Sequence, residues 1–168
     1  MNNEFRFSIK PEWDNIEAVR VKAENFLKLN RIHDEVIDAV IMIISELLEN
    51  AIKYGNFGGT PSDEIISSIS ISERDVTVEV KSPVKEEDDK HLKRLDRIVQ
   101  WVRGYQNPFE AYIEKIKEIA LLPLDDRQSG LGIVRIAYEG QSIIDFFVND
   151  YNIISVSAVY HLSEPGRR

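Results

Sequence analysis

Residues 45 to 55 read SELLENAIKYG and follow an almost wholly apolar run, Val36 to Ile44. The run predicts a buried helix, beginning near His33 or Asp34 and continuing to about Tyr54. Glu46, Asn50 and Lys53 then interrupt it at spacings of four and three, which puts them on one helical face. Two readings stay open for this triple. In one, it is the wet edge of a half-buried helix, with Glu46 paired to Asn50 or Glu49. In the other, it is a nucleotide-phosphate site. An Asn oxygen is a hard, neutral ligand suited to Mg²⁺. A Glu one turn earlier can orient or deprotonate an incoming nucleophile. Lys53 can pair with phosphate oxygens, and Tyr54 can pack on a base.

Upstream, Phe5, Phe7 and Ile9 alternate with polar residues and predict a half-buried strand that Pro11 ends. Asp14 to Leu29 carries Ile16, Val19, Ala23, Phe26 and Leu27 at helical spacing, with Asp14 as candidate N-cap. Downstream, YGNFGGTPSDE is loop. IISSISI and DVTVEVKS alternate as strands around the turn ERD, and Pro83 stops the second. VKEEDDK, residues 84 to 90, reads as a solvated charge cluster. Helices are expected over Leu92–Val102 and Phe109–Leu122, then a loop, PLDDRQSGLG, and a short helix over Ile133–Tyr138. SIIDFFVN and IISVSAVYHL close the chain as strands before a frayed tail, SEPGRR.

Strands thus come in adjacent pairs with helices between them. That predicts an α+β fold: a two-layer sandwich whose mixed, mostly antiparallel sheet carries helices on one face. The 168 residues suffice for a single domain, in which residues 84 to 128 form a helical insert.

The net charge of −8 argues against a nucleic-acid or anionic-membrane surface. The absence of cysteine excludes disulfides, thiolate zinc sites and a cysteine nucleophile. No apolar run approaches the ~20 residues that span a bilayer. MNNEFRFSIK lacks a signal-peptide core, so a cytoplasmic location is expected.

A second element bears on the open choice. SGLGIVRIAY, from Ser129, places Gly130 and Gly132 just before an apolar helix. Glycines permit positive φ and close backbone approach, and a helix N-terminus offers free N–H groups to an anion. A turn before a packed helix is the plainer reading of that pair. His33, His91 and His161 lack metal-ligand spacing. Asp125, Asp126 and Arg127 read as solvated loop. Trp101 and Tyr105 share a helical face suited to core or interface packing.

Taken in order, these elements resemble the GHKL superfamily of ATP-binding domains, the Bergerat fold. SELLENAIKYG looks like its N box and SGLGIVRIAYEG like its G2 box. The opening strand and helix are similar to anti-sigma-factor serine/threonine kinases of the RsbW and SpoIIAB kind. The long insert is similar to the SiaB group of small bacterial kinases. The resemblance implies ATP and Mg²⁺ as cofactors, with Glu46 as general base, Asn50 as metal ligand, Lys53 as a phosphate contact and Tyr54 beside adenine. Ser129, Gly130, Leu131 and Gly132 would form the phosphate loop. It further implies a protein partner, an anti-sigma-factor antagonist or a sigma factor, and permits a homodimer through Trp101 or the first strand.

One motif departs from the family. An Asp-x-Gly-x-Gly box is expected after the second hairpin strand, with its Asp reading the adenine amino group. Here Ser82 stands at that place and no glycine follows. A neutral hydroxyl accepts a weaker bond than a carboxylate, at a cost of ~1–3 kcal/mol. The chain is therefore expected to be a regulatory serine/threonine kinase. The alternative is a degenerate module that sequesters a regulatory partner without phosphoryl transfer.

Overall fold

The Ser/Ile and Val alternations become the two strands at the heart of the sheet. In the computed structural model, which describes residues 3–58, 63–85, 89–104, 106–121 and 131–163, the strands are β1 (Glu4–Ile9), β2 (Ile65–Ile71), β3 (Asp75–Pro83), β4 (Ser142–Val148) and β5 (Ile153–His161). Their order across the sheet is β1-β2-β3-β5-β4. Each pairing is antiparallel, so the described sheet has no parallel pair and is simpler than the mixed sheet expected. Two of the four pairings are hairpins: β2–β3 turns at Ser72–Arg74, and β5 folds back on β4; helices separate the strands of the other two, β1–β2 and β3–β5.

Five described helices complete the chain: α1 (Asp14–Leu29), α2 (Asp34–Tyr54), α3 (Asp89–Arg103), α4 (Pro108–Ala120) and α5 (Leu131–Tyr138). The helices α2 and α5 pack on the sheet, while α1 lies on α2, and α3 and α4 lie on α5. Opposite them the sheet stays open, with exposed Ile66, Ile143 and Phe147. Val76, Val78 and Val80 point inward from β3 onto the stripe of α2 that contains Val40, Ile44 and Leu47. Burying one such aliphatic side chain contributes roughly 1.5–3 kcal/mol, which is what holds so apolar a helix against the sheet. Among the described residues no helix is long and apolar enough to cross a membrane.

Local details adjust several expectations. Asp14 is the first helical residue rather than the cap; Trp13 takes the cap position without a side-chain bond. Asp14 and Glu17 still sit where the positive helix end favours acids. Asn107 does cap α4, accepting from the Phe109 N–H at 3.0 Å ahead of Pro108 at the first helical position. The start of the charge cluster is not solvated: Val84 is buried, and its N–H donates to the Asn152 carbonyl at 2.8 Å. The helix α3 starts at Asp89 instead of Leu92. Residues 86–88 and 122–130, the chain end from 164 and Tyr105 lie outside the described residues, as do 59–62 of the loop after α2.

Candidate functional site

Two tethers shape the space beside the C-terminal half of α2. The helix stops at Gly55, and the next N–H, of Asn56, donates to the Pro83 carbonyl at 2.8 Å. That ties the exit of α2 to the end of β3, while the Val84–Asn152 bond ties the start of the insert to the β4–β5 turn. Between them opens a cleft of ≈ 690 Å³, counted to its mouth. Leu47, Val80, Val84, Ile154 and Val156 make its walls apolar.

Asn50, Tyr54, Ser82 and Gly132 all line this cleft, so four sequence-predicted residues from three distant segments meet. Ser82 is buried at the end of β3, and among the described residues no carboxylate lines the cleft. Three further lining residues, Arg94, Leu95 and Ile98, come from α3. Sequence reading assigned them no role. Their helical spacing on an amphipathic segment was the available signal, but it does not say which neighbour the stripe faces. Lys53 lies outside the lining set; it is exposed, with Nζ 5.2 Å from the Tyr54 ring centroid, a cation–π distance. Leu131 opens α5 half-buried and does not line the cleft, while Ser129, Gly130 and Arg127 lie outside the described residues.

Glu46 does not line this cleft; it lines a second, polar one, with its Oε2 against Gly132, a lining residue of the first. The second is lined by Arg20 and Glu24 of α1, Asp38, Ser45, Glu46 and Glu49 of α2, and Arg135 of α5. The Glu46 side chain is 17 % exposed, and its Oε1 accepts from Arg135 Nη1 at 2.8 Å. Arg135 Nε reaches Glu139 Oε2 at 2.6 Å, and the Tyr112 hydroxyl of α4 donates to Glu139 Oε1 at 3.4 Å. The expected pairing of Glu46 with Asn50 or Glu49 is replaced by this cross-helix ion pair.

Gly132 explains the close approach of the two helices. A Cβ at this position would lie 2.7 Å from Glu46 Oε2 and 3.8 Å from Asn50 Nδ2. Among the described glycines only Gly58 has positive φ. Gly132 therefore serves by lacking a side chain, not by adopting a left-handed backbone.

Burial pushes the Glu46 carboxyl above the ordinary range. The Arg135 hydrogen bond and charge oppose that rise, while Glu49 and Glu139 add to it. Arg135 is raised as well, chiefly by its hydrogen bond to Glu139. The ion pair alone would lower the carboxyl; burial outweighs it because Glu46 is the drier partner, its side chain 17 % exposed against 43 % for Arg135. The polar cleft thus holds a carboxyl closer to neutrality than a solvated one. Such a group can take a proton from a hydroxyl.

His161 pairs with Asp75 at the far end of β3 and β5, and Trp101 packs against the core. Among the described residues no three acidic or imidazole groups form a metal-binding cluster.

No curated protein matches this sequence. The fold is similar to a chain of the SiaB–SiaC complex from Pseudomonas aeruginosa, at 19 % identity and a TM-score of 0.71, over 93 % of this chain and 88 % of that one. At that identity the likeness speaks for the fold. The sequence itself matches the histidine kinase-like ATPase domain over residues 9–137, more than half its length. This chain belongs to the histidine kinase-like ATPase domain family.

Proposed function

We propose that the chain binds Mg-ATP in the apolar cleft and transfers the γ-phosphoryl group to a serine or threonine hydroxyl of a partner protein, as anti-sigma-factor kinases do. The observation that carries this is the placement of Glu46. It lines a polar cleft open to an acceptor, with its Oε2 against Gly132, which together with Asn50 lines an apolar cleft that suits a nucleotide.

The roles follow from the walls. Val80, Val84, Ile154 and Val156 take the nucleobase faces, and Ser82 offers the buried hydroxyl to its edge. Tyr54 flanks the base, while the first turn of α5 presents backbone N–H groups to the phosphates. Asn50 suits a divalent ion that keeps phosphate and water oxygens as its other ligands, since its amide edges the cleft beside Gly132. Bound Mg²⁺ supplies charge neutralisation on the phosphates. The acceptor hydroxyl enters from the polar cleft and loses its proton to Glu46. A bond forms from its oxygen to the γ-phosphorus as the bond to the bridging oxygen breaks, and ADP leaves.

A partner protein fits the acceptor role, and the fold relative was itself solved as a two-protein complex. For a homodimer, edge strand β1 is the contact candidate, because Trp101 packs against the core.

A second reading, a binding module without phosphoryl transfer, is favoured by one observation: Ser82 is neutral and, among the described residues, no carboxylate lines the cleft. A thermal-shift assay with millimolar Mg-ATP separates the two. Nucleotide at a hundredfold excess over Kd stabilises by about 2.7 kcal/mol. For a chain of this size that raises Tm by about 5 °C or more. Asn50→Ala should abolish the Mg-dependent part of the shift. No shift in the wild type supports the binding module.

A further inference from the structure

Arg135 has no role in the reading above, yet it is the only described side chain bonded to Glu46. It stands on α5 one turn beyond Gly132, so the helix that presents the glycine to Glu46 also presents the arginine. The guanidinium is anchored at both ends. Nη1 holds Glu46 Oε1 at 2.8 Å, and Nε holds Glu139 Oε2 at 2.6 Å. A planar fork fixed on one side by Glu139 has little freedom left, so it sets the orientation of the carboxylate on the other. Oε2 is then the oxygen turned toward Gly132 and Asn50, and it accepts no hydrogen bond from a described residue.

We propose that Arg135 is a positioning residue for Glu46: it holds Oε1 so that Oε2 faces Gly132 and Asn50, ready to receive the nucleophile's proton. This rests on the phosphoryl-transfer reading. Glu139 acts one step further out, as the anchor of Arg135. The opposite possibility, that the ion pair locks Glu46 out of action, predicts the reverse effect on rate.

The test uses water as acceptor, so no partner is needed. Water adds to the γ-phosphorus of Mg-ATP, the bond to the bridging oxygen breaks, the water proton passes to Glu46, and ADP and phosphate leave. Single-turnover hydrolysis is followed in wild type, Glu46→Gln, Arg135→Met, Arg135→Lys, Glu139→Gln and the Glu46→Gln/Arg135→Met double variant. Calorimetry gives Mg-ATP affinity for each.

Glu46→Gln should lose about 100-fold or more in rate. Arg135→Met should lose roughly 10- to 100-fold, since misplacing a reacting group by about 1 Å costs on that order. Mg-ATP affinity should change by less than about twofold, a split that separates positioning from binding. Arg135→Lys should recover part of the rate, and Glu139→Gln should lose about 10-fold, the low end of what removing such an outer contact costs. In the Glu46→Gln background, Arg135→Met should cost no more than about twofold, because its effect runs through Glu46.

A faster Arg135→Met enzyme, or losses that multiply in the double variant, overturns the proposal while leaving the kinase reading intact. If Arg135→Met does not fold, Arg135→Lys and Glu139→Gln decide, and wild-type rates in both overturn the proposal. Wild-type Mg-ATP binding with no effect of Glu46→Gln removes the base assignment, and Arg135's role with it. No binding at all removes the nucleotide reading as well.

Discussion

Glu46 is held with an arginine on one oxygen and a glycine backbone against the other. Its place on one helical face with Asn50 was legible from spacing, but its role was not: the same spacing allows the wet edge of a half-buried helix, and the base role came from the family resemblance. Arg135 was not legible. Its contact with Glu46 spans 89 residues, and no local pattern on a short apolar helix announces which charge it meets. The raised carboxyl has a measurable consequence for stability. Below the ordinary carboxylate range, about pH 4, both folded and unfolded chains hold the proton, and this contribution is fully present. As pH rises through the higher folded-state value, the folded chain must ionise a half-buried group, and the contribution is lost. The Tm of Glu46→Gln relative to wild type should therefore grow more positive from about pH 4 to about pH 8. Melting curves across that range check it; a difference that is flat or shrinks with pH would contradict the assigned burial effect.

At the scale of elements, α2 and the hairpin β2–β3 were readable because period and composition agree there. The helix α3 was foreseen in place, but not as a wall of the cleft, since an amphipathic stripe does not name its partner. Ser129 and Gly130 lie outside the described residues, so the glycine element is represented by Gly132 alone. The glycine in the first turn of α5, Gly132, and the one just past its end, Gly140, make different predictions. At Gly140 a Cβ would meet the Ile136 carbonyl at 2.4 Å and Ile43 Cγ1 at 2.9 Å, groups held by the α5 backbone and the core. At Gly132 it would meet the end of one side chain, and alanine there gains helix propensity of about 1 kcal/mol. Urea titration should show Gly140→Ala losing roughly 1–3 kcal/mol, as overpacking does. Gly132→Ala should stay within about 1 kcal/mol of wild type, yet hydrolyse Mg-ATP more slowly because Glu46 is pushed aside. Equal stability losses at the two sites would show that the Glu46 carboxylate cannot yield.

For the whole molecule, paired strands and intervening helices were enough to predict one helix layer on one sheet. They could not say that β5, not β4, lies next to β3, because a closing hairpin can present either strand to the sheet. That choice matters for the site: Ile154 and Val156 of β5 form a wall opposite α2, and the turn beyond β4 anchors the insert. Leu95 and Ile98 of α3 close the cleft so built on the remaining side. A crystal structure of the chain grown with Mg²⁺ and a non-hydrolysable ATP analogue tests the central claim most directly. Triphosphate density should run from the Val80–Ile154 walls to the first turn of α5, with a metal ion on Asn50 and Glu46 facing the γ-phosphate. An apolar cleft left empty at saturating analogue, or analogue bound elsewhere, would contradict the account.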